Sequence, residues 1–184
     1  MRHLLALFLL SFSLAATAAP ATPPAFVSID VPDARLAGEG EFTRFGMRIY
    51  QAQLWVGPLG YQDAMPETAP FVLELRYARA LDGGKIADAS VEQMQKIGAG
   101  TPQQRQAWLA TMQRIFPDVK EGQRLAAAWR AGVSPGVRFY LDGNVLADVP
   151  DGDFARAFFA IWLSPASTAP KLRSALLRGA SPLP

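Results

Sequence analysis

The sequence MRIYQAQLWV, residues 47–56, predicts a long β-strand with a mixed set of side chains on each face. Alternation places Arg48 and Tyr50 on one face with small and branched apolar residues, and two glutamines on the other among Met, Ile and Trp. A tyrosine and two glutamines among large apolar groups are typical of a strand that lines a ligand cleft. They are equally typical of a core strand whose tyrosine hydroxyl is hydrogen-bonded, so the pattern leaves both interpretations open.

Six further segments alternate in the same way or lie between turn signals, and we predict a strand in each. In chain order they are Phe26–Val31, Arg35–Phe42, Phe71–Ala80, Gln123–Arg130, Val137–Leu141 and Asn144–Val149. Gly38 and Gly40 interrupt the second of them and indicate a bulge or the close approach of another backbone. The pair Asp142-Gly143 predicts a two-residue hairpin between the last two strands.

Four segments have helical spacing, namely Ala87–Ile97, Thr101–Phe116, Phe154–Leu163 and Pro170–Leu177. Thr101 and Gln104 form the pattern of a capping box, and Asp153 is the predicted N-cap of the third helix. That helix is apolar on all sides, so it lines an acyl pocket or, by default, lies in the core. Strands, two helices, strands and two helices in this order predict an α+β domain with a large antiparallel sheet and helices on one face.

The N-terminus has the three parts of a secretory signal peptide. A basic start is followed by an apolar stretch at 4–14 and by small residues at 16–18 that fit an A-x-A cleavage site. The apolar stretch is too short to span a bilayer, which disfavours an uncleaved anchor. We therefore expect a periplasmic protein with no stable membrane span after cleavage. The expected organisation is a signal peptide at 1–18, a linker at 19–24 and one domain at 25–184.

Composition excludes several classes of chemistry. The chain contains no cysteine, and its single histidine, His3, lies in the predicted signal peptide. The mature domain therefore has no thiol nucleophile, disulfide, Ser-His-Asp triad or His- or Cys-based zinc site. Asp148, Asp151 and Asp153 lack the length and distal Glu of an EF-hand loop, so we expect no metal and no cofactor. The formal charge of +2 has no basic stripe, which argues against nucleic acid as a partner.

Three polar side chains near the opening strand are candidates for ligand contact: Arg44, Arg48 and Tyr50. On one strand face, Arg48 and Tyr50 would lie about 7 Å apart. A guanidinium and a phenol at that spacing could hold a carboxylate or a phenolate. The alternative is a rim arginine and a core tyrosine.

The sequence resembles that of the bacterial, exported branch of the chalcone isomerase-like family. The similarity runs from about residue 35 to 179 and rests on four segments in order. They are LAGEGEFTRFGMRIYQAQLWV at 36–56, FPDVKEG at 116–122, GVRFYLDGNVLADVPDGDFARAFFAIWL at 136–163 and KLRSALLRG at 171–179. The resemblance implies an α+β open-faced β-sandwich, with a large curved antiparallel sheet of about seven strands flanked by about four helices.

The resemblance also implies a site. The resemblance implies that family isomerases hold substrate with an arginine on the strand before the long one and a threonine on the long strand. Fatty-acid-binding relatives keep the arginine and have a tyrosine in the second position. Tyr50 falls at the Thr/Tyr position, whereas Phe42 falls at the arginine position. The helical Tyr and Asn of the enzymes fall near Ala87 and Met94, with Gln93 beside them. No catalytic residue is therefore assigned, and the candidate ligand contacts are Tyr50, Arg48, Arg44, Phe42, Gln93 and Met94.

These observations favour an exported, non-catalytic protein that binds a small apolar or acyl ligand in a cleft between sheet and helices. One alternative is an intramolecular lyase of the chalcone isomerase type, which would need an arginine directed into the cleft. The other is a module that binds a protein partner within an envelope complex, with its cleft filled by side chains.

Overall fold

The computed structural model describes residues 21–62, 68–132 and 134–183. The predicted signal peptide at 1–18 lies outside the described residues. The elements in chain order are α1 (Ala25–Asp30), β1 (Arg35–Arg44), β2 (Met47–Val56), β3 (Phe71–Tyr77), α2 (Gly83–Lys96), α3 (Pro102–Ile115), β4 (Arg124–Arg130), β5 (Gly136–Leu141), β6 (Asn144–Val149), α4 (Gly152–Leu163) and α5 (Pro170–Leu176). No helix in these ranges is long and apolar enough to cross a bilayer.

The six strands form one open antiparallel sheet in the order of the chain, β1-β2-β3-β4-β5-β6. The predicted α+β class is therefore confirmed, and six of the seven predicted strands are present. The long strand has the predicted bounds, Met47–Val56. The four predicted helices correspond to α2 to α5, and a fifth helix, α1, precedes the sheet.

The first predicted strand, Phe26–Val31, is wrong, because this segment forms α1. Helical geometry lets Phe26, Val27 and Val31 bury together against Trp55 and Tyr140 of the sheet, whereas a strand would direct them to two faces. Packing against the sheet has overridden an alternating pattern of only six residues.

Polar contacts hold α1 in place as well. The Tyr140 hydroxyl donates a hydrogen bond to Asp30 at the end of the helix. Arg138 lies 3.6 Å from Asp30 and also makes a bidentate pair with Asp148 at 2.7 and 2.8 Å. The bidentate pair with Asp148 holds the Arg138 guanidinium in one orientation, in which it also faces Asp30 at the end of α1.

Both faces of the sheet carry an apolar cluster, and each cluster packs against different helices. On the inner face, side chains such as Leu54, Leu73 and Phe139 form the main core with α2 to α5. On the outer face, Trp55, Val72 and their neighbours pack under α1 in a smaller cluster. The single-faced helical layer that the sequence predicts is thus correct for α2 to α5 only.

The glycines of β1 lie where α5 approaches the strand, and the predicted close approach of another backbone is confirmed at Gly38. A Cβ on Gly38 would lie 2.1 Å from the carbonyl oxygen of Ala175 in α5, and one on Gly40 would lie 2.9 Å from a methyl carbon of Leu172. The pairing of β1 with β2 also shifts register between Leu36 and Gly38, which is a bulge. Glycine is required here because α5 packs directly on the strand.

Of the predicted helix caps and turns, one capping box and one hairpin turn are confirmed, and one N-cap is wrong. Thr101 and Gln104 form the capping box of α3. Asp142 and Gly143 have φ values of 48° and 84°, as a two-residue hairpin between β5 and β6 requires. The N-cap of α4 is Asp151, not Asp153, because the helix begins at Gly152. The Asp151 carboxylate accepts hydrogen bonds from the Phe154 amide at 2.9 Å and the Trp108 indole at 3.2 Å.

A buried carboxylate on the outer face predicts a pH-dependent stability. Glu74 is 3% exposed, lies 3.8 Å from the Arg124 guanidinium, and has one carboxylate oxygen with no hydrogen-bond partner among the described residues. Burial raises the pKa of this carboxyl group, and the charges of Arg124 and Arg76 lower it by less. A raised folded-state pKa means that this group favours the folded state below its unfolded pKa and loses that contribution as the pH rises through the folded value.

We therefore expect Glu74→Gln to gain thermal stability relative to the wild type as the pH increases from about 4 to about 8. Melting temperatures measured across this range give the comparison. Glu41→Gln removes an exposed carboxylate from the same face and is the control for the loss of one negative charge. If the difference in melting temperature between Glu74→Gln and the wild type is the same at every pH, the expectation is contradicted.

Candidate functional site

A cavity of about 270 Å³ lies between the inner face of the sheet and the helices. Its sheet side is formed by β1 to β4, and its helix side by α2 and α4 together with the end of α3 and the loop before α5. The cavity side chains from α2 are Lys85, Ile86, Ala89, Ser90 and Gln93. This helical spacing shows one continuous face of α2 directed at the sheet.

The cavity changes in character from one end to the other. Its buried end is formed by Leu75, Phe116, Leu125 and Phe158, each at most 6% exposed. Its open end carries exposed side chains, including the cations Arg44 and Lys85 and the hydroxyl of Thr168. A ligand that fits this gradient has an apolar body and a polar or anionic end.

Tyr50 lies between these ends and is held by three aromatic neighbours. Its ring stacks on Phe42 with centroids 5.1 Å apart and meets Tyr77 edge-on at 5.9 Å. Phe42 and Tyr77 are its pairing partners on β1 and β3, so the sheet register creates this cluster. The Trp162 indole N–H of α4 donates a hydrogen bond to the Tyr50 hydroxyl oxygen at 2.9 Å.

The two phenols of the cavity remain hydrogen-bond donors at neutral pH. Burial raises the pKa of Tyr50 and of Tyr77 well above the ordinary value for tyrosine. The Tyr50 oxygen accepts from Trp162, a group that can only donate, so the Tyr50 hydroxyl proton is left for another acceptor. The Tyr77 hydroxyl has no hydrogen-bond partner among the described residues. The cavity therefore offers neutral O–H donors to a ligand oxygen.

Arg48 does not share the face of Tyr50, contrary to the prediction. The β1–β2 pairing joins Phe42 to Tyr50 and Thr43 to Arg48, so Ile49 is an extra, bulged residue. The bulge brings Ile49 to the cavity and turns Arg48 to the outer face, where its guanidinium pairs with Glu41 at 2.9 Å. Strict alternation cannot reveal an inserted residue, because a one-residue slip exchanges the two faces.

The other predicted residues divide into two groups. Arg44, Phe42 and Gln93 line the cavity with Tyr50. The Gln93 side-chain oxygen accepts a hydrogen bond from the Thr168 hydroxyl at 2.5 Å, which connects α2 to the loop before α5 at the open end. Met94 is fully buried in the main core and is not part of the cavity wall as described. Their role in ligand contact stays a prediction.

Sequence reasoning did not single out Tyr77, Trp162 or Lys85. Tyr77 had a signal, since it lies on the same predicted strand face as Leu73 and Leu75. Trp162 lies in α4, the apolar helix that the sequence predicts either to line a pocket or to lie in the core. In the structure, α4 contributes side chains to both the cavity wall and the core. Phe158, Ile161 and Trp162 line the cavity, whereas Phe154 is fully enclosed in the core. Lys85 had no signal beyond its position after two glycines.

The described residues show no group of three or more acidic, histidine or cysteine side chains that could hold a metal ion. The cavity lining offers hydrogen bonding from neutral phenols, cationic charge at the open end and an apolar surface.

Comparison with known proteins agrees with this architecture. The profile of a family described as chalcone isomerase-like matches residues 15–178. An uncharacterized protein of Haemophilus influenzae is 30% identical over 142 residues, which are 76% of this chain and 66% of that protein. This chain thus spans slightly less than two thirds of the length of that relative.

Among solved structures, the fold is similar to that of a fatty-acid binding protein of Arabidopsis thaliana. The superposition has a TM-score of 0.62 and covers 81% of this chain and 89% of the plant protein. Sequence identity is 10%, so this likeness concerns the fold.

Proposed function

This chain belongs to the chalcone isomerase-like family, and from that premise we propose that it is an exported, non-catalytic member that binds one single-chain amphiphile. The ligand is an acyl chain with a carboxylate end. Its chain occupies the buried end of the cavity, and its carboxylate lies near Tyr50 and the cations of the open end.

The gradient along the cavity is the observation that carries this proposal. An acyl chain gains about 0.8 kcal/mol for each CH₂ that leaves water, and the apolar end supplies the surface for it. A carboxylate in that apolar end would lose its hydration without a charged partner. Towards the open end it meets the Tyr50 hydroxyl and, beyond it, the exposed cations Arg44 and Lys85.

The dimensions of the cavity limit the ligand. A volume of about 270 Å³ is close to the lower end of ordinary small-molecule sites, which begin at roughly 300 Å³. We therefore expect a preference for short or medium acyl chains. The plant neighbour is a fatty-acid binding protein, which is consistent with an apolar ligand for this shared fold.

Phe42 supports binding over catalysis. It lies directly opposite Tyr50 and stacks on it, so the position where the family resemblance places an arginine is filled by an aromatic ring. The carboxylate then depends on a neutral phenol and on exposed cations, without a buried guanidinium.

Native mass spectrometry of protein purified from a bacterial periplasm tests the proposal in two parts. A polypeptide mass that corresponds to a chain starting at Ala19 would support export. An additional mass that matches an acyl compound would support the proposed ligand. Titration with saturated fatty acids of about eight to about fourteen carbons should show affinity that rises about fourfold per CH₂ and then stops when the cavity is full. An empty protein that takes up none of these acids would refute the binding function.

Tyr50→Phe is expected to weaken binding of a fatty acid about tenfold or more, because a hydrogen bond to a charged group contributes about 1.5–3 kcal/mol. Isothermal titration with one acid and its methyl ester measures this. The ester lacks the charge, so its affinity should change less. Equal losses for acid and ester would show that Tyr50 shapes the cavity and does not contact the carboxylate.

A second function has one specific observation in its favour. Arg44 lines the cavity, and an intramolecular lyase of the chalcone isomerase type would need a guanidinium there. Loss of chalcone absorbance on incubation with the protein, abolished in Arg44→Gln, would support that activity. Unchanged absorbance would leave ligand binding as the function.

A further inference from the structure

The hairpin between β1 and β2 carries the most exposed large apolar side chain of the described residues. Phe45 is 86% exposed and Met47 is 48% exposed. The preceding Arg44 lines the cavity, and its guanidinium carbon lies 5.3 Å from the centroid of the Phe45 ring. Residues 44–47, called the hairpin tip below, thus project into water beside the open end of the cavity.

Folding of the hairpin does not explain a phenylalanine at this point. Phe45 and Gly46 have φ values of 51° and 73°, which is the conformation of a type I′ turn. Asn, Asp and Gly are favoured at its first position, whereas a bulky side chain at positive φ is a backbone outlier. Phe45 is therefore disfavoured both by its backbone conformation and by its exposure to water. A bound state in which the ring leaves water would offset these costs.

Positive charge surrounds the hairpin tip. Arg44, Arg79 and Lys85 are exposed, and none of them forms an ion pair with another described residue. Arg79 is next to the tip, since its guanidinium nitrogen lies 3.1 Å from the Met47 sulfur. Three cations without a paired carboxylate fit an anionic partner.

The acidic groups of this region do not cancel that charge. Glu41 is paired with Arg48 at 2.9 Å, and Glu92 is paired with Lys96 at 2.6 Å. Asp82 caps α2 and keeps its negative charge, so this one carboxylate stands against the three cations Arg44, Arg79 and Lys85. The region therefore keeps a local excess of positive charge.

We propose that the hairpin tip docks the open end of the cavity onto an anionic lipid bilayer. Phe45 and Met47 enter the headgroup region, where amphipathic and aromatic side chains are favoured, and the three cations face the lipid phosphates. A protein partner fits less well, because a stable protein interface buries about 800 Å² on each side and two apolar side chains at a turn offer far less. The expected benefit, passage of an acyl ligand between bilayer and cavity, rests on the proposed function, but the docking does not require a filled cavity.

Co-sedimentation with vesicles tests the docking on the whole purified protein. Vesicles of phosphatidylglycerol and phosphatidylethanolamine in roughly equal parts are compared with pure phosphatidylcholine. Each cation near an anionic surface contributes about fivefold to the partition coefficient, so we expect roughly a hundredfold preference for the anionic vesicles, lost in high salt.

Phe45→Asn is the informative variant, because asparagine suits the turn and should keep or raise the melting temperature. We expect its partitioning to fall about tenfold, and its affinity for a fatty acid in solution to stay that of the wild type. Leu59→Asn, at an apolar side chain that is 60% exposed elsewhere, is the matched control and should partition like the wild type.

Three results would overturn the docking proposal: equal binding to anionic and neutral vesicles, no effect of Phe45→Asn, or no vesicle binding together with a Phe45-dependent protein cross-link in envelope extracts. Because fatty-acid affinity is measured separately without vesicles, failure of docking and failure of ligand binding give different results.

Discussion

An Ala89→Trp variant is expected to fold and to lose at least a hundredfold in affinity for medium-chain fatty acids. Ala89 lies on the cavity face of α2, between Ile86 and Gln93. An indole at this position occupies much of a cavity of about 270 Å³. Excluding roughly four CH₂ groups of the ligand removes about 3 kcal/mol, which corresponds to more than a hundredfold in affinity.

The control for this experiment is Ala110→Trp, which adds the same side chain to an exposed position of α3. It should bind like the wild type. Ala89→Leu adds less volume and is expected to give an intermediate loss, with the largest effect on the longest chains. Isothermal titration provides the affinities, and circular dichroism checks that the variants are folded. Wild-type affinity in folded Ala89→Trp would place the acyl chain outside this cavity.

A Gly38→Ala variant is expected to be destabilised by about 3 kcal/mol, the largest stability effect that we predict for a single methyl group. The new Cβ would lie 2.1 Å from the Ala175 carbonyl oxygen and 2.6 Å from that of Leu176. Both contacts are with backbone atoms of α5, so a change of rotamer cannot relieve them. Either α5 moves away from β1 or the strand distorts, and both responses disrupt well-packed core.

Chemical denaturation measures the free energy of unfolding for this comparison. Gly57→Ala is the matched control, because its Cβ would meet neighbours at 3.5 Å, an ordinary contact distance. It should be neutral or slightly stabilising, since alanine reduces the conformational freedom of the unfolded chain. If Gly38→Ala unfolds with wild-type free energy, α5 does not rest on β1 as closely as the structure shows.

Much of the fold could be predicted from local patterns because these patterns act over a few residues. The strand at 47–56, the Asp142-Gly143 hairpin and the capping box at Thr101 each depend on periodicity or on backbone conformation within a short segment. Six strands and four helices follow from such signals, and Gly38 was correctly identified as a site of close approach. Tyr50 was placed on the inner face because alternation holds from that residue to the end of β2.

The remaining features depend on contacts between distant segments. The bulge at Ile49 arises from the pairing of β2 with β1, and it alone turns Arg48 to Glu41 and away from the cavity. Helix α1 forms because the outer face of the sheet buries Phe26 and Val27 together. Tyr50 and Trp162 are 112 positions apart in the chain, so only the packing of α4 on the sheet creates their hydrogen bond.

By itself, the sequence determined the class of this protein, its six strands, the helices α2 to α5 and the strand that carries the cavity. Side-chain period, caps and turns are local properties, and they specify helices and strands without knowledge of the partners. Only the tertiary structure decided which residues meet in the cavity, because strand register and helix docking set that arrangement. A single inserted residue in one ladder exchanged an arginine for an isoleucine at the cavity wall, and no local pattern encodes that exchange.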